Sequence, residues 1–103
     1  MVRLVQNDTN FDLNFQLKNS DGTAYDITGQ TAVQFKMKLV GGAIKIDSAM
    51  TVDSEADGQV HYTFAGSNLD TVGTYETEIQ VTGPSTKVVT FKGDLIQVVA
   101  EFA

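Results

Sequence analysis

The sequence predicts an all-β sandwich, and three observations support this fold class. Apolar and polar residues alternate with a period of two in several segments, as strands with one buried face require. Turn segments rich in Gly, Asn and Asp separate these segments at short, fairly regular intervals. No segment has a convincing helical period of 3.6 residues. We therefore predict an antiparallel β-sandwich of about seven to nine short strands.

The first half of the chain contains two long alternating segments, residues 10–18 and 31–40. A turn at 19–22 follows the first segment, and a short strand is predicted at 25–27 before a second turn at 28–30. Gly41 and Gly42 end the second segment, after which brief strands are predicted around 44–46 and 49–52. The residues predicted to face the core from the two long strands are Phe11, Leu13, Phe15, Leu17, Val33, Phe35, Met37 and Leu39.

The second half repeats the pattern after a polar turn at 53–58. Strands are predicted at 59–64, 75–82, 88–91 and 95–102, with a hairpin turn at 83–85 and a bulge or kink at 92–94. Residues 65–74 form a loop that carries Leu69. The inward residues of the two central strands are Val60, Tyr62, Phe64, Tyr75, Thr77, Ile79 and Val81. At 103 residues, the chain is expected to form a single domain, 1–103.

The segment from Asp70 to Tyr75 narrows the prediction to an immunoglobulin-like sandwich. An Asp, a tight turn with Gly73, and then a Tyr open a strand, as at the entry to strand F of immunoglobulin-like domains. In that arrangement the Tyr ring packs in the core and its hydroxyl bonds to upstream backbone, forming a tyrosine corner. We therefore assign structural roles to Asp70, Gly73 and Tyr75.

Outward charges on two predicted strands suggest cross-strand ion pairs. If 31–40 is strand C and 75–82 is strand F, the two strands are neighbours in one sheet. Lys36 and Lys38 would then lie near Glu76 and Glu78. Such cross-strand pairs contribute roughly 0.2–1 kcal/mol each.

Composition argues against several classes of partner. The formal net charge is −6, from 13 acidic and seven basic residues. An acidic surface repels phosphate, which disfavours nucleic-acid binding and docking on an anionic membrane. The N-terminus has no apolar segment typical of a signal peptide, and no stretch approaches the length of a membrane span. We expect no nucleic-acid partner, no membrane insertion, and synthesis and folding in the cytoplasm.

No residue constellation predicts an enzyme or a cofactor site. Cysteine is absent and His61 is the single histidine, predicted to face solvent between Val60 and Tyr62. The acids of 53–58 resemble the start of a calcium loop, but Phe64 stands where such a loop needs Glu, so a solvated turn is favoured and calcium binding stays open. Glu76 and Glu78 opposite lysines would both stay ionised, which does not suit a glycosidase pair. No catalytic, cofactor-binding or metal-binding residue is predicted.

Four motifs occur in an order that is more specific than the fold. They are the turn Asp21-Gly22 followed by Asp26-Ile27-Thr28-Gly29, the strand Phe35-Lys36-Met37-Lys38, the strand Asp57-Gly58-Gln59-Val60-His61-Tyr62, and the corner Asp70-Thr71-Val72-Gly73-Thr74-Tyr75. This series resembles the immunoglobulin-like N-terminal domain of bacteriophage baseplate upper proteins, from about residue 9 to residue 99. No catalytic residue is carried over, because the family domain has none.

The resemblance implies a non-enzymatic structural role in a virion. The chain is expected to be an assembly, adaptor or decoration module that contacts other virion proteins in multiple copies, and tail, baseplate and capsid remain open as its location. The family's larger members continue beyond the point where this sequence stops, so a free-standing module is expected. Residues 1–7 and 94–103 are the expected docking segments, with Phe102 either packing a strand end or sealing a partner contact. The alternative is a carbohydrate-binding adhesion module on the virion surface, for which Tyr25 is the best aromatic candidate.

Overall fold

A computed structural model describes residues 2–83 and 87–100. Within these ranges the chain forms nine strands and no helix, which confirms the prediction of an all-β sandwich. The strands are β1 Val2–Val5, β2 Phe11–Gln16, β3 Ala32–Leu39, β4 Ile44–Ala49, β5 Thr51–Ser54, β6 Gln59–Phe64, β7 Gly73–Thr82, β8 Val88–Lys92 and β9 Ile96–Val99. The described part of the chain therefore has no helix long and apolar enough to cross a membrane.

The strands form two sheets. The larger has the order β1-β9-β7-β3-β4, with β8 also paired to β7, and the smaller has the order β2-β6-β5. All pairs among the described strands are antiparallel except β1 with β9, which run parallel at one edge of the large sheet.

Two of the predicted strands differ in the structure. Residues 25–27 form no strand, because the Tyr25 N–H donates to the Leu17 carbonyl while the Ile27 N–H donates to the Glu55 carbonyl, and no single neighbour supplies a ladder. The predicted strand at 49–52 is divided between the sheets. β4 ends at Ala49 in the large sheet, Met50 donates its N–H to the Val33 carbonyl, and β5 begins in the small sheet.

Part of the predicted 83–85 turn and Phe102 lie outside the described residues.

The core lies between the sheets and is built from the inward residues of both. Phe35 and Phe64 are fully buried, and Tyr62 is buried at 4.8 Å, centroid to centroid, from the ring of Phe35. The core contains the following buried residues: Leu17, Ile27, Val33, Phe35, Met37, Ile46, Val60, Tyr62, Phe64, Leu69, Tyr75, Ile79, Val81, Ile96 and Val98. Because strand side chains alternate, the same strands present polar residues outward on each sheet.

β8 and β9 pair with successive parts of the same edge of β7. Between them the chain bends at Gly93 and Asp94, at the kink that the sequence predicts. Buried Thr77 holds this bend: its hydroxyl donates to the Asp94 carbonyl at 2.7 Å, and its carbonyl accepts the Gly93 N–H at 3.0 Å. A side chain at Gly93 would collide with the Thr77 hydroxyl, so this position is closely packed against β7.

Candidate docking surface

The loop before β7 is held by the tyrosine-corner residues. The Tyr75 side chain is 1% exposed, and its hydroxyl donates to the Thr71 carbonyl at 2.6 Å. Burial raises the pKa of the Tyr75 hydroxyl, so it remains a donor at neutral pH. The Asp70 carboxylate accepts hydrogen bonds from the Lys45 ammonium and the Thr71 hydroxyl, which lower the pKa of Asp70. These contacts tie the loop to β4 and to the core.

We predict that Tyr75→Phe lowers the free energy of unfolding by about 1 kcal/mol, because the ring volume is kept while one buried hydrogen bond is lost. Urea denaturation of the variant and the wild type measures the difference. Tyr25→Phe is the matched control, since the Tyr25 ring is half-buried. An unchanged stability in Tyr75→Phe would contradict a structural role for the corner hydroxyl.

The outer face of the large sheet carries the charges that the sequence predicts to pair. β3 and β7 are neighbours, with Lys36 opposite Glu78 and Lys38 opposite Glu76. Glu78 forms its ion pair with Lys92 of β8, which raises the pKa of Lys92. Among the described residues, no ion pair within 4.0 Å joins Lys36 or Lys38 to a glutamate. Attraction between these lysines and glutamates therefore stays a prediction that depends on the register alone.

These charged residues surround a hollow of about 200 Å³ on the sheet face. Its lining combines Lys36, Lys38, Glu76, Glu78 and Lys92 with Ile44, whose side chain is 60% exposed. An exposed aliphatic side chain beside charges of both signs is an arrangement typical of protein interfaces, in which apolar contact is surrounded by a polar rim. The hollow is smaller and more charged than the mostly apolar pockets of about 300–1,000 Å³ that bind small molecules.

The outer face of the small sheet is acidic and contains His61. The His61 Nδ1 lies 2.8 Å from the Asp53 carboxylate on β5, and Nε2 lies 4.0 Å from the Asp12 carboxylate on β2. The hydrogen bond that the Asp53 carboxylate accepts from the His61 ring is the main cause that raises the pKa of His61, and the charges of Asp53 and Asp12 act in the same direction. The sequence correctly places His61 outward but does not reveal its partners, since these depend on the order β2-β6-β5.

We predict a pH-dependent contribution of His61 to stability. Because folding raises the pKa of His61 above its ordinary value of 6.5, its contribution is fully present below that value and is lost as the pH rises through the folded-state pKa. The stability difference between the wild type and His61→Gln should therefore shrink from about pH 5.5 to pH 8. Urea denaturation across this range measures it. Gln59→Ala, on the same face of β6, should show no such trend, and a pH-independent His61→Gln difference would contradict the prediction.

The polar side chains of the 53–58 turn, which resembles the start of a calcium loop, contact other groups of the protein. Asp53 faces His61, and the Ser54 hydroxyl donates to the Asp57 carboxylate at 3.1 Å. Residues 2–83 and 87–100 contain no group of three or more His, Cys, Asp or Glu side chains that could hold a metal ion. Gly58 takes φ +64° in this turn, as the Asp-Gly pair predicts.

The described parts of the predicted docking segments, residues 2–7 and 94–100, lie together at one edge of the large sheet. The Val2 N–H donates to the Leu95 carbonyl at 2.9 Å, and the Gln6 N–H donates to the Val99 carbonyl at 2.7 Å. Because the N–H groups of a strand alternate in direction, those of Arg3 and Val5 point away from β9. In the described part of the chain, β1 is therefore an edge strand whose outer side has no partner strand.

The fold and these surfaces define a β-sandwich domain whose polar outer faces and edge strands suit contact with other proteins. The chain belongs to the BppU N-terminal domain family, whose model matches residues 1–98. This is a family of phage baseplate structural proteins, which makes the chain a virion component that associates with other virion proteins. No curated protein matches the sequence.

Proposed function

We propose that this chain is a non-enzymatic, immunoglobulin-like assembly module that attaches to a partner protein of the phage tail or baseplate in multiple copies. The observation that carries the proposal is the family match over residues 1–98. The match covers β1 and all of β9 except Val99, and these two strands form one edge of the large sheet. The module would fold in the host cytoplasm and function in the assembled particle.

The edge strand β1 offers the simplest mode of attachment. A strand with unpaired backbone groups can accept a strand from another protein, with main-chain hydrogen bonds supplying affinity and alternate side chains supplying specificity. The N–H groups of Arg3 and Val5 point toward such a partner. Repeated copies on one particle would make weak single contacts effective.

A carbohydrate-binding role has less support. Carbohydrate sites commonly use an exposed aromatic platform, and the best candidate, Tyr25, is half-buried with its ring edge-on to Phe91 at a centroid distance of 5.0 Å. A non-enzymatic role is also consistent with the surroundings of His61, whose ring nitrogens face the carboxylates of Asp53 and Asp12.

The experiment is incorporation of a tagged chain into particles of the phage that encodes it. Purified particles should contain the wild-type chain, located at the tail end by immunogold electron microscopy. Arg3→Pro removes one outward N–H of β1 and should lower incorporation about tenfold, equivalent to about 1.4 kcal/mol, the scale of one backbone hydrogen bond. Arg3→Ala removes the same charge but keeps the N–H, and should be incorporated normally. A wild-type chain absent from purified particles would refute the proposed function, and equal loss in both variants would refute attachment through the β1 backbone.

A further inference from the structure

A row of aliphatic side chains crosses the outer face of the large sheet near one end; four of its five members are exposed, and Val99 is half-buried. One residue of the row lies on or directly beside each of the strands β1, β9, β7, β3 and β4, in that order across the sheet. Val72 lies just before the first residue of β7, and Val40 lies just after the last residue of β3. They are Val5, Val99, Val72, Val40 and Ile44. We call this set the aliphatic row.

The strand register places these residues beside one another. Val5 is paired with Val99, and the β9–β7 register continued by one residue brings Val99 opposite Val72. The Val40 N–H donates to the Thr74 carbonyl at 3.0 Å, which makes Val40 a diagonal neighbour of Val72. Ile44 is opposite Lys38 and is therefore diagonal to Val40.

Most of the exposed large aliphatic residues of the described chain belong to the row. Seven large aliphatic residues in the described ranges are exposed, and four of them belong to the row: Val5, Val40, Ile44 and Val72, at 37%, 52%, 60% and 49%. Single exposed aliphatic residues are ordinary, but a contiguous set across a whole sheet indicates an interaction surface.

The charges on this face differ from those on the rest of the chain. The outward residues of the large sheet include four bases, Arg3, Lys36, Lys38 and Lys92, and three acids, Asp47, Glu76 and Glu78. The face thus has a small positive charge on a chain with a net charge of −6. It is the face on which two identical acidic molecules can approach with the least repulsion.

We propose that the aliphatic row is the contact surface for a second copy of this chain, in a two-fold dimer that joins the large sheets face to face. A two-fold axis brings the same patch of each copy together, so that one aliphatic row covers the other. The mixed charges beside the row can then face charges of opposite sign on the partner copy. The small sheet of a second copy fits this face less well, because its outer face presents Asp12, Asp53 and His61. Of the exposed large aliphatic residues in the described chain, it carries only Val52.

The face is large enough for a stable contact. Five strands at about 4.8 Å spacing and the eight residues of β3 at about 3.4 Å each give an area of roughly 650 Å². Stable interfaces bury about 600–1,000 Å² on each partner. The proposed dimer would therefore use essentially the whole of this sheet face, with the row as its apolar part.

Sedimentation velocity of the purified full chain over a concentration series tests the proposal. The wild type should shift from monomer to dimer, while Ile44→Ser and Val40→Ser should each raise the dissociation constant about tenfold or more. Val52→Ser is the matched control, because Val52 is exposed at 38% but lies on the small sheet, and it should leave the dissociation constant unchanged. Thermal unfolding checks that all three variants fold.

Salt dependence separates this dimer from contact between unlike faces. Raising the ionic strength screens the few charge pairs beside the row, but it also screens the repulsion between two copies that each carry a net charge of −6. Because the row itself is apolar, the contact should stay as strong or become stronger. Association that weakens with salt would overturn the proposal in favour of a positive face docking on an acidic one. A wild type that remains monomeric to about 1 mM, or a dimer insensitive to both row variants, would also overturn it. These results require no phage particle, so they can fail without affecting the proposed role in assembly.

Discussion

Replacing Phe35 with alanine is expected to lower the free energy of unfolding by about 3–5 kcal/mol, the range for removing a fully buried aromatic ring. Phe35 lies at the centre of the aromatic core, fully buried between the sheets. Its ring stacks on Tyr62 at 4.8 Å and also lies near Phe15 at 5.7 Å and Phe64 at 6.0 Å, measured between centroids. The cavity left by alanine would remove contacts from all three rings, and the loss is a large part of the about 5–15 kcal/mol that stabilises a typical domain.

Urea denaturation followed by tyrosine fluorescence or circular dichroism measures this loss. Phe11→Ala is the matched control, because Phe11 is half-buried at the end of the core and contacts Phe64 from one side, with a centroid distance of 5.0 Å. We expect the control to lose less than half as much stability. Similar losses in the two variants would contradict the central position of Phe35 in the core.

The inward faces of the long strands could be predicted because pleating fixes a period of two. Any strand that buries one face must place alternate residues in the core, so Phe35, Val60 and Ile79 are predictable without knowing their partner strands. The tyrosine corner is similarly local: Tyr75 and the Thr71 carbonyl lie four residues apart in sequence, and the hydrogen bond forms within one loop.

Features that depend on strand order could not be predicted from the alternation. The pattern around Met50 does not show that the chain leaves one sheet and enters the other there. The partners of His61 depend on β6 lying between β2 and β5. The ion pair of Glu78 goes to Lys92 because β8 flanks β7 on the side away from β3. The aliphatic row is likewise assembled from five separate parts of the sequence.

Gly58 is restricted by close backbone packing as well as by the turn conformation that the sequence predicts. The Asp57-Gly58 pair predicts a residue with positive φ, and Gly58 takes φ +64°. The structure adds that Gly58 is buried against backbone: a Cβ at this position would lie within 3.0 Å of the Tyr25 carbonyl oxygen and close to that of Leu17. The Gly58 carbonyl also accepts the Leu17 N–H at 2.9 Å, so the turn cannot move away without losing a backbone hydrogen bond.

Gly58→Ala is therefore expected to lower the free energy of unfolding by about 3 kcal/mol or more. About 1–2 kcal/mol comes from holding a non-glycine residue at positive φ, and the remainder comes from displacing backbone atoms of the Tyr25 and Leu17 segments. Gly22→Ala separates these contributions, because Gly22 also has a positive φ, +90°, but has no atom within 4 Å of an added Cβ. Urea denaturation should give a loss of about 1–2 kcal/mol for Gly22→Ala, from the conformational contribution alone. If both variants lost equal stability, the contact between the 53–58 turn and the Tyr25 backbone would have no energetic importance, and the turn would be an ordinary surface loop.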